Sequence, residues 1–366
     1  MVYYLWIFVW LFFAKSIFRK SKVENNSTQL KANNSISGFS TTTALIIILP
    51  VILWAGFRDF WFADTGAYYR GFLSYPTTWD GFIDYIPTIA KDKAFYALSA
   101  FIKLFTDEPR IYLIIIALIQ GLCLMKFFKR YSSNYILSIF LFIASTDIIS
   151  FMFNGIRQFV AVGITLLAAP FIIEKKYIKA IIVILIASLF HQSALLLLPF
   201  IFVVQGDAFN LKTVLFILFA LFAAIFLGQF SNILDSSLQN TQYENVVSDY
   251  TSWEDDGTNP LRVLVYSVPA ILAFLGRKKI VKDGGTLINV CANMSIVSAG
   301  FYIISMTTSG IFIGRIPIYF SLYGYILLPW LINNVFSKKS AAFLNFAMVC
   351  CYLIFYYYQM FVTYGV

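Results

Sequence analysis

Four short stretches of the chain set chemically capable groups inside otherwise apolar sequence. The first is Gly56-Phe57-Arg58-Asp59-Phe60-Trp61-Phe62-Ala63-Asp64-Thr65-Gly66-Ala67-Tyr68-Tyr69. An arginine beside carboxylates and aromatic rings can grip a phosphate and stack on sugars. It can equally be an interfacial belt in which Arg58 pairs with Asp59 or Asp64. The second is Phe153-Asn154-Gly155-Ile156-Arg157-Gln158. Asn154 and Arg157 stand three apart and are expected to share a helix face. An arginine at a helix start offers an anion its guanidinium and the free backbone N–H groups. The plainer reading is a snorkelling arginine after an asparagine cap. The third, Phe190-His191-Gln192-Ser193-Ala194, holds the only histidine of the chain. An imidazole can take a proton near neutral pH, although a lone histidine in apolar sequence also serves as a structural residue. The fourth, Gly310 to Phe320, carries Arg315 and Tyr319 at the start of an apolar segment, with Pro317 suited to a first helical turn. An interfacial arginine is again the alternative.

The elements that must position these groups follow from composition. Of 366 residues, 60% are hydrophobic and 12% charged, about half the charge of a soluble domain. That excludes a soluble enzyme, a secreted disulfide scaffold and a disordered chain. Apolar runs near 20 residues recur, which is helical length for a bilayer and too long for a membrane β-barrel strand. The expectation is an all-α polytopic membrane helix bundle. It has about 10–12 membrane segments, some of them half-helices, in a single transmembrane domain over 1–366. Polar groups inside such segments are functional candidates because they are costly there.

The net charge of +9 is read as orientation and not as nucleic-acid binding, since basic residues gather in cytoplasmic loops. Lys15 to Lys31, Lys126 to Arg130, Lys175 to Lys179, Arg277 to Lys282, and Lys338 with Lys339 mark the inner side. Loops 58–93 and 231–260 are then outside, and 86–105 must be interfacial or re-entrant, its charges fitting a helix that lies at the surface. All four polar stretches map to the outer half. Parity also requires the run Ile178–Val204 to break at Phe190-His191-Gln192-Ser193. Two half-helices of ~20 Å would meet there, against a core of ~30 Å. Cys123, Cys291, Cys350 and Cys351 form no CxxC, and one histidine builds no zinc-type site. Glu254-Asp255-Asp256 reads as a solvated acidic loop.

In order and spacing, the four stretches resemble the EpsG-like family of bacterial membrane proteins, related to Wzy-type polysaccharide polymerases. The resemblance rests on Gly56, Arg58, Asp59, Asp64, Thr65 and Tyr68. It continues through Asn154, Arg157 and Gln158, then His191, Ser193 and Ala194, then Arg315, Tyr319 and Phe320. A glutamate-led motif is matched loosely by Asp92-Lys93-Ala94-Phe95-Tyr96, and Asp92 is given no role. The resemblance implies a multi-span, GT-C-like glycosyltransferase in the bacterial inner membrane, acting at its outer face without metal or other cofactor. It would move a glycan from undecaprenyl diphosphate to the terminal sugar of another lipid-linked repeat unit. Carried onto this sequence, His191, Arg157 and Arg315 are the expected catalytic residues. Arg58, Asp59, Asp64, Tyr68, Asn154, Gln158 and Tyr319 would bind substrate. Membrane lipid, a flippase and a chain-length regulator are the expected partners. Two relatives in function stay open, a lipid-linked oligosaccharide flippase and a ligase. A flippase would spread its charges through the membrane depth, whereas here they gather on one side.

Overall fold

The apolar runs fold as helices, and the computed structural model describes them over residues 2–18, 36, 38–238, 257–308, 310 and 313–364. No strand occurs among the described residues. The chain forms two compact units, 1–198 with 342–366, and 199–341. The first contains α1 (Val2–Ile17), α2 (Thr41–Gly56), α3 (Thr65–Leu73), α4 (Trp79–Tyr85), α5 (Lys93–Lys103) and α6 (Pro109–Tyr131). It continues with α7 (Tyr135–Ala144), α8 (Thr146–Ser150), α9 (Ile156–Leu166), α10 (Ala169–Ile173) and α11 (Tyr177–Ser188). After the 3-10 turn Gln192–Leu196, α12 (Leu197–Val203) leads into the second unit. There follow α13 (Leu211–Leu238), α14 (Pro260–Leu275), α15 (Arg277–Asp283), α16 (Gly285–Ser305), the 3-10 turn Ile313–Arg315 and α17 (Ile318–Val335). Most of α18 (Lys338–Tyr364) belongs to the first unit again.

Among the described residues, four helical stretches are long and apolar enough to cross a bilayer: α6, α16, 313–335 and 338–362. The pair α14 and α15, bent by 69°, makes a fifth if taken as one span. The 23 residues of α6 reach about 34 Å at ~1.5 Å each, enough for a ~30 Å core. The chain is an all-helical integral membrane protein.

Helix starts follow local chemistry. Ser40 Oγ accepts the Thr43 N–H at 3.0 Å to cap α2, and Asn134 caps α7 through the Leu137 N–H at 3.3 Å. Pro109 and Pro260 open α6 and α14, where a missing N–H costs nothing. Between helices in lipid, close approach replaces the hydrophobic drive. Gly121 of α6 provides it, since a Cβ there would overlap the Ile52 side chain of α2.

Several apolar runs are less continuous than their hydropathy suggests. The run from Tyr135 breaks at Ser145 (ψ 83) between α7 and α8. The run from Ile156 loses its helix at Leu166, because Pro170 has no N–H for that carbonyl. The 178–204 run is interrupted as parity requires. α11 ends at Ser188, His191 is extended (φ −159, ψ 121), and a 3-10 turn follows. The 12 residues of α11 reach about 18 Å, short of a full crossing. The helix expected within 86–105 is α5, whose 11 residues bury Phe95, Ser99, Ala100, Ile102 and Lys103 on one face and expose Phe101 on the other. Of the 231–260 loop, α13 takes the residues to Leu238. Residues 239–256, with Tyr243, Tyr250, Trp253 and Glu254 to Asp256, lie outside the described residues. All four cysteines are free thiols.

A buried cluster joins α3, α5, α6 and α9: Phe72, Phe95, Ile102, Tyr112, Ile116 and Val160 belong to it. Phe72 stacks on Tyr112 at 4.6 Å, and Ser99 of α5 hydrogen-bonds the Tyr112 hydroxyl at 3.2 Å. In the second unit, α16 holds the turn after α12 by two side chains. Asn293 donates to the carbonyls of Val204 (3.0 Å) and Asp207 (3.1 Å) and accepts from the Phe209 N–H (3.1 Å). Asn289 accepts from the Ala208 N–H at 2.7 Å.

Candidate functional site

The first turn of α9 organises the polar groups of the first unit. Gly155 precedes it with φ 94, a left-handed conformation that favours glycine. This corrects one expectation. Asn154 stands before the helix, in the turn that Gly155 closes, and so shares no helix face with Arg157. Its Oδ1 is buried without a hydrogen-bond partner. Arg157 and Gln158 do occupy the helix start.

Arg157 Nη1 donates to Asp92 Oδ2 at 2.7 Å and to the Tyr96 hydroxyl at 3.1 Å, and its Cζ lies 5.6 Å from the Tyr96 ring centroid. The pair is lopsided: the Asp92 side chain is 1% exposed and that of Arg157 is 30% exposed. Asp92 precedes α5 in a left-handed conformation (φ 51), which aspartate adopts more readily than most residues, and its side chain makes no capping hydrogen bond. Burial pushes its carboxyl pKa up, against the pull of Arg157. The Gln192 backbone N–H also faces this carboxylate and favours its charged form, while Oδ1 is buried without a close partner. The half-buried Tyr68 of α3 is an electrostatic neighbour of both Arg157 and Arg58.

The helix break lies against the same place. The Ala94 N–H of α5 bonds the Leu189 carbonyl at 2.8 Å. His191 Nδ1 is 2.6 Å from Ser193 Oγ, and the Ser193 N–H reaches the same ring nitrogen at 3.4 Å. Gln158 Nε2 donates to Ser193 Oγ at 3.4 Å. Neighbouring residues of α9 therefore connect to two sides, Arg157 to Asp92 and Tyr96, and Gln158 to Ser193 and His191.

The structure thus brings together Arg157, Gln158, Tyr68 and His191. It adds Asp92, Tyr96 and Ser193, which sequence reasoning did not rank as site residues. Their signal was a spacing of four between Asp92 and Tyr96, which puts both on one side of a helix start. Nothing local pairs Asp92 with a residue 65 positions on.

Arg58 is placed differently from Arg157. It is 5% exposed. Its Nε donates to Thr65 Oγ1 at 2.9 Å and its Nη1 to the Ala55 carbonyl at 2.5 Å, tying the end of α2 to the start of α3. Its own carbonyl accepts from Arg110 Nη1 at 2.7 Å. Burial lowers the Arg58 pKa to about 10, which leaves it cationic at neutral pH. Asp59 and Asp64 are exposed around a turn in which Ala63 is left-handed (φ 49). Neither side chain is hydrogen-bonded among the described residues. Arg110, half-buried and 5.9 Å from the Tyr69 ring centroid, is a cation the sequence analysis did not single out.

Arg315 and Tyr319 belong to the second unit. Arg315 is exposed at the end of the 3-10 turn just before α17, a few residues into the crossing stretch 313–335. Tyr319 is 1% exposed in the first turn of α17. Among the described residues, no three His, Cys, Asp or Glu side chains converge in a way that could hold a metal ion.

No curated protein and no solved structure matches the chain. The EpsG family matches residues 42–365, a range that takes in all four polar stretches together with Asp92 and Tyr96. The chain therefore belongs to the EpsG family and is a polysaccharide polymerase-type membrane protein.

Proposed function

We propose that the chain moves a glycan from undecaprenyl diphosphate onto the terminal sugar of another lipid-linked repeat unit. The observation that carries this reading is Arg157. Its guanidinium is partly exposed at a helix start, backed by a buried carboxylate and linked through Gln158 and Ser193 to the sole histidine. An anion placed there meets a fixed fork of N–H donors and the positive end of α9.

In the proposed step, the acceptor hydroxyl oxygen bonds to the anomeric carbon while the bond from that carbon to the diphosphate oxygen breaks. The electron pair leaves with the diphosphate, whose charge Arg157 stabilises. The hydroxyl proton passes to His191 Nε2. The tautomer able to accept it carries its proton on Nδ1, donated to Ser193 Oγ at 2.6 Å, and so gives up the longer 3.4 Å contact from the Ser193 N–H. The diphosphate departs as an anion, so the leaving group needs charge stabilisation more than an acid. A base and cations then suffice without a metal. Asp92 positions Arg157. Arg58 fixes the α2–α3 junction on which Tyr68, Asp59 and Asp64 stand, and those exposed carboxylates are offered to sugar hydroxyls. Arg315 is a separately proposed contact for an anionic group, on the second unit. The distribution of basic loops supports a cytoplasmic-membrane location with these residues on the outer side.

The test is purified protein with lipid-linked repeat units as the only substrate, with and without EDTA. A ladder of longer lipid-linked glycans, unchanged by chelation, is expected. Single units left unextended would overturn the polymerase reading. Loss on chelation restored by Mg²⁺ would overturn metal independence.

A further inference from the structure

A concave site lies at the other end of the helices that carry Arg110 and Arg157. Arg157 opens α9 and Arg110 opens α6, so the ends of α6 and α9 away from them form the opposite side of the first unit. There a cleft of about 290 Å³ is lined by Lys126, Arg130 and Tyr131 of α6, Leu167 after α9, and Phe171 and Glu174 beyond Pro170. Lys126 is exposed at its wall, and Arg130 stands 5.3 Å from the Tyr131 ring centroid. The one acid is already balanced, since Lys176 Nζ lies 2.6 Å from Glu174. Lys179 lies 5.9 Å from the Phe171 ring centroid, which extends the basic rim.

The cleft therefore combines net positive charge, aromatic rings and apolar walls at the end of a membrane-crossing helix. A phosphate diester carrying acyl chains matches each part. The phosphate meets Lys126 and Arg130, the glycerol region meets the rings, and the chains continue along the apolar flanks of α6. Basic clefts between membrane helices at the basic-loop side attract anionic headgroups. Aromatic residues with one wet edge suit that depth. The residues at the helix ends also complement the α6 macrodipole, but dipole compensation needs no concavity. We propose that this cleft is a binding site for the headgroup of an anionic phospholipid, in the leaflet next to the basic loops and distinct from the Arg157 site.

Full-length protein in detergent would be incubated with phosphatidylglycerol, with phosphatidylethanolamine, or with inorganic phosphate, and retained adducts read by native mass spectrometry. Retention of phosphatidylglycerol above phosphatidylethanolamine is expected. At about one basic contact's worth of affinity each, the Lys126→Ala/Arg130→Ala variant should bind it roughly thirtyfold more weakly. A Lys278→Ala/Lys282→Ala variant removes the same charge from exposed positions elsewhere and should retain lipid as wild type does. Equal retention by wild type and the Lys126/Arg130 variant would overturn the proposal. So would equal loss in both variants, or retention of both lipids alike. Displacement of the lipid by millimolar inorganic phosphate would show a site for free phosphate and would equally overturn it.

Discussion

The helix break at His191 and the turn held by α16 both bring polar side chains into apolar surroundings, and they satisfy them differently. Asn293 uses both ends of its amide on the backbone of 204–209, where the chain turns between α12 and α13, and Asn289 accepts the Ala208 N–H while donating to the Gly285 carbonyl of its own helix. Around Arg157 the pairing is incomplete. Asp92 Oδ1 and Asn154 Oδ1 are buried without close partners, and the guanidinium keeps part of its surface open. Buried polar groups without partners are rare and call for an explanation. The comparison teaches that depth alone does not make a polar residue functional in this membrane protein. The clamp is a closed set of hydrogen bonds, while the cluster keeps the Arg157 guanidinium partly open to a ligand. The arginines differ in exposure: Arg58 is 5% exposed, tied to Thr65 and Ala55 with its Nη2 unpaired, and Arg157 keeps 30% of its side chain exposed.

Substitutions on the two sides of the comparison should behave differently. The largest effect is expected for His191→Gln, which keeps a hydrogen-bonding group but cannot take a proton. Polymer formation should fall by ~10²–10⁴ while the protein remains folded and inserted. A near-normal rate would make His191 a cap for its 3-10 turn and no more. Arg157→Lys should lose ~10²–10³ in turnover, since an ammonium has no planar fork for a diphosphate. Asp92→Asn should cost less, about ten- to a hundredfold, by loosening Arg157 without touching substrate. Because it acts through a neighbour, Arg157→Lys should add little on top of it in a double-mutant cycle. Full additivity would separate the two residues.

On the satisfied side, Asn293→Ala should lower stability by about 1–3 kcal/mol, because it strands backbone groups of the turn. Turnover per folded molecule should stay at the wild-type value, read by activity normalised to the monodisperse fraction. The smallest effect belongs to Asp64→Asn. One exposed hydrogen bond of ~1 kcal/mol predicts a roughly fivefold rise in KM for the acceptor and an unchanged kcat.

Much of this arrangement was legible in the sequence wherever a local signal carried it. Apolar run lengths announced a helical membrane protein. Charge parity placed a helix break within 190–193. The pattern Gly155-Ile156-Arg157 put an arginine at a helix start. What the sequence hid was tertiary. Asp92 meets Arg157 only because α5 packs against the α11 end through Ala94 and Leu189. Asn154 leaves the α9 face because Gly155 turns left-handed before it. Arg58 and Arg157 look alike as residue types, but Arg58 is buried between the Ala55 carbonyl and Thr65 while Arg157 keeps part of its side chain exposed. The break at Leu166 escapes hydropathy because the composition stays apolar through Phe171, and the break at Ser145 because Ser145-Thr146-Asp147 is too short a polar run to interrupt the long apolar stretch around it.

Binding of a polyprenyl diphosphate to wild type and to Arg157→Gln, with no acceptor present, tests the central claim most directly. Such binding separates recognition of the leaving group from chemistry. A charge-assisted contact of about 1.5–3 kcal/mol predicts affinity lower by roughly ten- to a hundredfold in the variant. Equal affinity in the two proteins would contradict the assignment of Arg157 to the diphosphate.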